Sequence, residues 1–197
     1  MKRELIEKLI QGNELRLKKD YEGALVIYFG LLNWLPEDSE LRAYIYAMIS
    51  SCYFHLNRYY EAVAFIEKTV ALMPEEARWH EWLAEYCWLG TLDLERAAQE
   101  VRKAIELNPN YVGALVLGAA IYGEPEEAIR LEEAIEWMER AVKLEPDNPN
   151  YYIRLGDLYR DAGQVEEAKR MWMKALLCEV PLRAESVGWV REHLLRE

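Results

Sequence analysis

The stretch RLGDLYRDAGQVEEA, residues 154–168, places Gly156 in the middle of a helical pattern. Apolar residues recur from Leu155 to Ala162 at spacings of three and four, as an amphipathic helix requires. An interior glycine costs a helix about 1 kcal/mol relative to alanine. The pattern therefore needs a packing reason for Gly156, and the organisation of the whole chain supplies one.

Prolines divide the chain at nearly regular intervals of 38, 35, 37 and 35 residues. They are Pro36, Pro74, Pro109, Pro146 and Pro181. Each interval holds two amphipathic helical patterns, and no stretch shows the sustained alternation of a strand. Neither helix buries its apolar stripe alone, so neighbouring helices must stack. Fixed periods of this length are typical of a helical solenoid.

The last interval shows the helix pair most clearly. Asp147 or Asn148 can cap the first helix, Pro149 suits its first position, and Gly163 ends it. The second helix reads QVEEAKRMWMKALL, and Pro181 follows shortly after it.

These pairs resemble the tetratricopeptide repeat (TPR), whose signature is W-x2-L-G-x2-Y…A-x3-F…P on a 34-residue period. The last repeat carries it at Tyr152, Leu155, Gly156, Tyr159, Ala168, Trp172 and Pro181. The resemblance extends to repeats at about 5–38, 39–75, 76–110, 111–148 and 149–181. It implies an all-α fold: a right-handed α-solenoid of about five TPR-like helix pairs over 1–181, with a C-terminal capping helix at 182–197. In that helix Val187, Val190 and Leu194 form one apolar stripe, with Trp189 beside it.

The repeat offers a packing reason for the glycine. In four of the five repeats one position holds a small residue, namely Gly12, Ser50, Gly118 or Gly156, and in the third repeat Leu83 stands there instead. On the facing helices the small residues are Ala24, Ala62, Ala97, Ala134 and Ala168. We expect the two helices of a pair to approach most closely here, so that packing offsets the helix-propensity cost.

Two repeats are longer than the pattern requires. The third needs about two extra residues near GTLDLE, and the fourth needs four between Gly118 and Ala134. In the fourth repeat one apolar stripe continues from Ala128 to Val142, and Pro125 suits a first helical position. We therefore expect the four residues to add one turn to the second helix, starting at Pro125.

Charge and composition exclude several classes of partner. The formal net charge is −11; residues 1–20 carry a local +2 and residues 182–197 are neutral, which leaves −13 for the body between them. Nucleic acids and anionic membranes need clustered Lys and Arg, so we expect neither as a partner. We also expect a cytoplasmic protein, because the sequence starts without a secretory signal and its three cysteines are scattered.

Catalytic and metal-binding motifs are missing from the sequence, so we expect neither an enzyme nor a bound cofactor. The best metal candidate combines His80 and Cys87, seven residues apart on one helix face, with His55 of the preceding repeat. It lacks the closely spaced ligand pair that usually signals zinc, and we expect no metal there.

The resemblance places the first helix of each pair on an inner, concave wall. The predicted peptide-binding groove on this wall consists of Tyr44, Ala47, Ser51, Phe54, His55, His80, Ala84, Cys87, Trp88, Leu115, Ala119 and Tyr122. Phe54, His55, Trp88 and Tyr122 would form an aromatic strip across it. The alternative for Trp88 is burial between helices, where its ring fills the core.

Apolar surface of this extent usually marks an interaction site. We therefore predict a non-catalytic adaptor or chaperone-like scaffold that binds an apolar or amphipathic segment of another protein, with basic flanks favoured by the acidic body. The alternative is a structural homo-oligomer in which the groove of one copy binds a terminus of the next. The groove can also be covered by the chain's own C-terminal helix.

Overall fold

The computed structural model describes residues 2–124, 128–178, 186–188, 190, 192 and 194. Over the described residues the regular structure is entirely helical, which confirms the all-α prediction. The α-helices are α1 Lys2–Leu17, α2 Tyr21–Leu32, α3 Glu40–His55, α4 Tyr59–Leu72, α5 Ala77–Tyr86, α6 Leu94–Leu107, α7 Val112–Ile121, α8 Leu131–Leu144, α9 Pro149–Asp161 and α10 Val165–Leu177. A π-helical turn, Cys87–Thr91, follows α5 directly.

Consecutive helices pack in antiparallel pairs of TPR type, as the repeat pattern predicts. The chain forms two compact units, residues 1–107 and 108–197. In the first unit the pairs are α1/α2, α3/α4 and α5/α6, with α2 packed on α3 and α4 on α5. In the second unit the pairs are α7/α8 and α9/α10, with α8 packed on α9.

Short polar side chains begin several of these helices. The Asp20 carboxylate accepts a hydrogen bond from the backbone N–H of Gly23 at 3.0 Å, and the Ser39 hydroxyl accepts one from Arg42 at 3.2 Å. At the start of α9 the cap is Asn148, followed by Pro149 at the first helical position, as expected. These oxygens satisfy backbone donors that a helix leaves free at its first turn.

The predicted close approach within the pairs is confirmed at two glycines. A Cβ atom at Gly12 would lie 2.8 Å from Cε1 of Tyr28, and one at Gly156 would lie 2.5 Å from Cδ1 of Trp172. Both rings are fully buried, so neither can move aside. The facing alanines Ala24, Ala62, Ala97, Ala134 and Ala168 are also fully buried. Packing against a large ring therefore explains why the helix interior tolerates glycine.

The extra residues of the third repeat are accommodated in the π-helical turn. There the backbone N–H of Leu92 bonds to the carbonyl of Cys87, five residues earlier, and Leu92 adopts a left-handed φ of 58°. Gly90 lets this turn pack closely on α4, because a Cβ atom there would lie 2.9 Å from Cβ of Tyr59.

The prediction that a helix starts at Pro125 is wrong for residues 128–130, which the structure describes. Residues 128–130 are not helical, and α8 begins at Leu131, after Arg130 in an extended conformation. Two features favour this start: the Glu133 carboxylate accepts the backbone N–H of Arg130 at 3.2 Å, and Ile129 is buried. Since α7 has only ten residues, an added turn on α8 would extend past its partner. Residues 125–127 themselves lie outside the described part.

At the C-terminal end, parts of the predicted capping helix contact the last pair. Val190 is fully buried in a cluster with Ala168 and Trp172, and Leu194 packs against this cluster. The predicted helix at 182–197 otherwise lies largely outside the described residues, and this includes Trp189.

Candidate functional site

Burial divides the twelve residues of the predicted groove into two groups. Seven are buried: Ala47, Ser51, His80, Ala84, Cys87, Leu115 and Ala119. These seven side chains pack inside the chain in the free protein, and their part in a peptide-binding groove stays a prediction. The other five keep accessible surface: Tyr44, Phe54, His55, Trp88 and Tyr122. Tyr122 belongs to the second unit and the other four to the first.

Aromatic rings form a continuous chain of contacts at the C-terminal end of α3. The His55 ring stacks on Tyr21 at a centroid distance of 4.8 Å. The neighbouring Phe54 stacks on Tyr86 at 4.5 Å and meets the edge of Tyr59 at 5.5 Å. All except Tyr86 keep part of their surface accessible. We call Tyr21, Phe54, His55 and Tyr59 the ring chain.

Sequence reasoning missed two members of this ring chain. Tyr21 and Tyr59 are the first residues of α2 and α4, the second helices of the first two pairs. The sequence contained a signal for them, because an aromatic residue occupies the same repeat position twice, 38 residues apart. In the later pairs this position holds Leu94, Leu131 and Val165.

The first helix pair places polar and charged groups near the ring chain. The Tyr28 hydroxyl donates to Oδ1 of Asn13 at 2.7 Å, and burial raises the pKa of Tyr28 to about 12. Partial burial lowers the pKa of His55, and the nearby positive charges of Arg16 and Lys19 lower it further. At neutral pH His55 is therefore uncharged, and it offers a partner an aromatic face.

His80 holds a structural position between α5 and α6. Its Nδ1 lies 2.6 Å from Oε2 of Glu100, and its Nε2 lies 2.9 Å from the carbonyl oxygen of Pro74. The hydrogen bond to Glu100 is the main cause of the raised pKa of His80, and burial acts against it. His80 thus connects α5 to Glu100 of α6 and to Pro74 in the turn before α5. Because both ring nitrogens make these contacts, neither is left to bind a metal or a peptide.

The described residues contain no group of three His, Cys, Asp or Glu side chains arranged to hold a metal ion. His55 is stacked on Tyr21, and His80 is bonded to Glu100. All three cysteines are free, and burial raises the pKa of Cys52 and of Cys87 to about 11. These two thiols stay protonated at neutral pH, where a nucleophile needs a thiolate.

In the second unit an arginine holds the end of α7. The guanidinium of Arg154, on α9, donates from Nε to the carbonyl of Ala119 at 3.2 Å and from Nη2 to that of Tyr122 at 3.1 Å. These carbonyls lie at the helix end, where intrahelical donors run out. The position of Tyr122 is thereby fixed relative to α9.

As for membrane insertion, no helix within the described ranges is long and apolar enough to cross a bilayer.

Comparison with known proteins supports the repeat assignment. Family models described as tetratricopeptide repeat and TPR repeat match residues 43–75 and 130–163. A crystal structure of MamA is 25% identical, with a TM-score of 0.72, and the match covers 85% of this chain and 94% of that one. No curated protein sequence matches the chain.

Two further solved structures have the same fold. YrrB, described as a TPR protein with an unusual peptide-binding site, is 20% identical over 94% of this chain and 90% of its own, with a TM-score of 0.71. TTC0263, a thermophilic TPR protein of Thermus thermophilus, is 22% identical over 97% of this chain and 99% of its own, with a TM-score of 0.64. Together with the helix pairs and the small-residue positions, these matches identify the repeat: the chain is a tetratricopeptide-repeat protein.

Proposed function

We propose that this protein is a non-catalytic adaptor or chaperone-like scaffold of the cytoplasm that binds an apolar or amphipathic segment of another protein. The observation that carries the proposal is the ring chain at the end of α3. Four rings in mutual contact, each partly accessible, present apolar surface that holds its shape. Rigid aromatic side chains are the usual anchors of protein interfaces because they bury large area at little conformational cost.

Tyr44 extends this surface along α3 toward its N-terminal end. It lies eleven residues before His55, which is three turns of an α-helix, so both side chains project from the same face. A peptide lying along α3 would therefore meet Tyr44 at one end and the ring chain at the other. The negative body of the protein favours basic flanks on such a peptide and speeds the encounter at low salt.

The experiment is partner capture from the native cell, followed by identification of what co-purifies. The test variant is the double substitution Tyr44→Ala and His55→Ala, which removes accessible rings and leaves the buried residues intact. The matched control is Tyr60→Ala, because Tyr60 is a 79% exposed ring on α4 outside this surface. We expect a partner captured by the wild type and by the control to be lost from the double variant. Equal capture by all three proteins would overturn the proposal.

One observation favours the assembly alternative. Helix α1 exposes large apolar side chains, with 54% of Ile6, 52% of Ile10 and 75% of Leu17 accessible. A stripe of this kind is what the peptide-binding surface of a neighbouring copy would accept. The molecular mass in dilute solution separates binding of another protein from assembly of copies of this chain. A stable multimer that the Ile10→Asp substitution converts to a monomer would support assembly.

A further inference from the structure

A second cluster of rings lies on the opposite face of α3. Tyr46 and Tyr53 are seven residues apart and share one face, as Tyr44 and Ser51 share another. The offset between these pairs is two residues, which at 3.6 residues per turn is about 200° around the helix. Tyr46 and Tyr53 therefore face away from Tyr44 and His55.

Four rings meet on this face. Phe65 of α4 contacts Tyr46, Tyr53 and, from α2, Phe29, at centroid distances of 5.8, 5.6 and 5.6 Å. Phe29 is 38% exposed, and Val26, one turn before it, is 72% exposed. Tyr53 itself is buried, so the apolar area open to a partner lies at Phe29 and Val26, at the edge of the cluster.

Three cations cover these rings. The guanidinium carbon of Arg58 lies 4.6 Å from the Tyr53 centroid, and that of Arg42 lies 5.8 Å from the Tyr46 centroid. The ammonium of Lys68 lies 4.4 Å from the Phe65 centroid. Ring faces attract cations through the aromatic quadrupole, so these charges are held in place. We call the four rings and three cations the aromatic–cation patch.

Carboxylates neutralise only part of this charge. Arg58 pairs with Glu61 at 2.6 Å, and the negative charge of Glu22 also acts on it. Arg42 is fixed by the carbonyl oxygens of Leu32, Leu35 and Pro36 at 2.8–2.9 Å, which hold its position without cancelling its charge. Among the described residues, neither Arg42 nor Lys68 forms an ion pair. The patch therefore carries excess positive charge on a protein whose net charge is −11.

Gly30, next to Phe29 on α2, adds a second observation. A Cβ atom there would meet nothing within 4 Å, so no packing inside the chain explains the glycine. This sets it apart from Gly12 and Gly156, which face buried rings. An exposed helix glycine leaves the backbone open to close approach by another molecule.

We propose that the aromatic–cation patch is a second docking surface, one that binds an acidic segment of another protein carrying an aromatic or leucine side chain. A carboxylate of the segment would pair with Lys68, and the charge of Arg42 would attract it although that guanidinium is already bonded to three carbonyls and the Tyr46 hydroxyl. The apolar side chain of the segment would lie on Phe29 and Val26 beside Gly30. Nucleic acid is disfavoured because three cations on an acidic protein supply too few phosphate contacts. This inference is independent of the peptide-binding function proposed above, because it uses the other face of α3.

The probe is a pool of synthetic twelve-residue peptides, each rich in Asp and Glu with one Trp, Phe or Leu. The comparison pool replaces every acidic residue by Lys. Backbone amide shifts in the full chain report where each pool binds. The test variant is Lys68→Glu, and the matched control is Lys143→Glu, the same charge change at an exposed lysine on α8.

We expect the acidic pool, and not the basic pool, to shift amides of α2 and α4. Lys68→Glu should weaken this binding about two- to fivefold, the effect of one exposed charge pair, while Lys143→Glu and Tyr44→Ala leave it unchanged. A response to both pools, a response confined to the ring chain, or no response on α2 and α4 would overturn the proposal. Unfolding curves of the variants verify that all remain folded.

Discussion

His80 donates a hydrogen bond from Nδ1 to Glu100, at 2.6 Å, while its Nε2 faces the carbonyl of Pro74 at 2.9 Å. A carbonyl and an ionised carboxylate are acceptors only, so both ring nitrogens must carry a proton. An imidazolium satisfies both contacts, and this agrees with the raised pKa of His80, whose main cause is the hydrogen bond to Glu100. The contact joins α5, α6 and the turn before α5 through one titratable side chain.

Stability should consequently depend on pH in the range where His80 titrates. Because its folded pKa lies above the unfolded value, its contribution is complete below the unfolded pKa and is lost as pH rises through the folded pKa. We expect the free energy of unfolding to fall over this range in the wild type and to fall less in His80→Gln. Urea unfolding from about pH 5 to about pH 8.5 spans the histidine titration.

His55 supplies a control of opposite sign. Its folded pKa is lowered, so its contribution to stability is present above the unfolded pKa and is lost as pH falls. We therefore expect the free energy of unfolding to fall less in His55→Gln than in the wild type as the pH is lowered. The contribution of His80 should be unchanged in this variant. Parallel pH profiles for the wild type and His80→Gln would contradict the imidazolium assignment.

Two glycine substitutions should change stability in opposite directions. In Gly156→Ala the new methyl meets the buried Trp172 ring, and overpacking of this kind costs about 1–3 kcal/mol, more than the roughly 1 kcal/mol gained in helix propensity. In Gly30→Ala no contact is made, so the free energy of unfolding should rise by about 0.5–1 kcal/mol. Chemical denaturation of both variants measures the difference. A stabilised Gly156→Ala would show that close approach is not what selects glycine there.

The sequence predicted the fold because close packing within the pairs restricts residue size at fixed positions. Gly156 and Ala168 mark two of these positions, and both are visible without coordinates. The start of α8 was not visible, because an apolar stripe from Ala128 onward fits a helix as well as it fits a buried extended residue at Ile129. Only the length of α7 and the bond between Arg130 and Glu133 decide between the two.

The site was harder to predict, since buried and accessible residues of the first helices share the same spacing. Ala47 and Tyr44 lie one turn apart on α3, and the first is fully buried while the second keeps accessible surface. Burial depends on which neighbouring helix covers each position. The aromatic–cation patch is hard to predict for a related reason: Tyr46 and Tyr53 lie at the repeat positions of Tyr152 and Tyr159, and these signature positions favour core packing.

Removing residues 182–197 should destabilise the last helix pair. Val190 is fully buried against Ala168 and Trp172, and burial of one such side chain contributes about 1.5–3 kcal/mol. We expect partial unfolding or aggregation of the truncated chain, seen as a lower melting temperature. An unchanged melting temperature with a clean monomer would mean that these residues are dispensable.

Trp88→Ala tests whether this ring serves binding or folding. Trp88 lies in the π-helical turn and is half-buried. If it anchors a partner, its loss should weaken binding by at least about 2 kcal/mol and lower stability little. If it fills the core, stability should fall by about 3–5 kcal/mol. Partner capture and thermal unfolding on the same variant separate these outcomes.

Site-specific photo-cross-linking in the native cell tests the central claim most directly. A photoreactive phenylalanine analogue replaces Tyr44, on the proposed peptide-binding surface, or Tyr60, the exposed ring outside it. We predict a covalent adduct with another polypeptide from position 44 and none from position 60. Equal adducts at both positions, no adduct at 44, or adducts at 44 with copies of this chain alone would contradict the claim that this surface binds a segment of another protein.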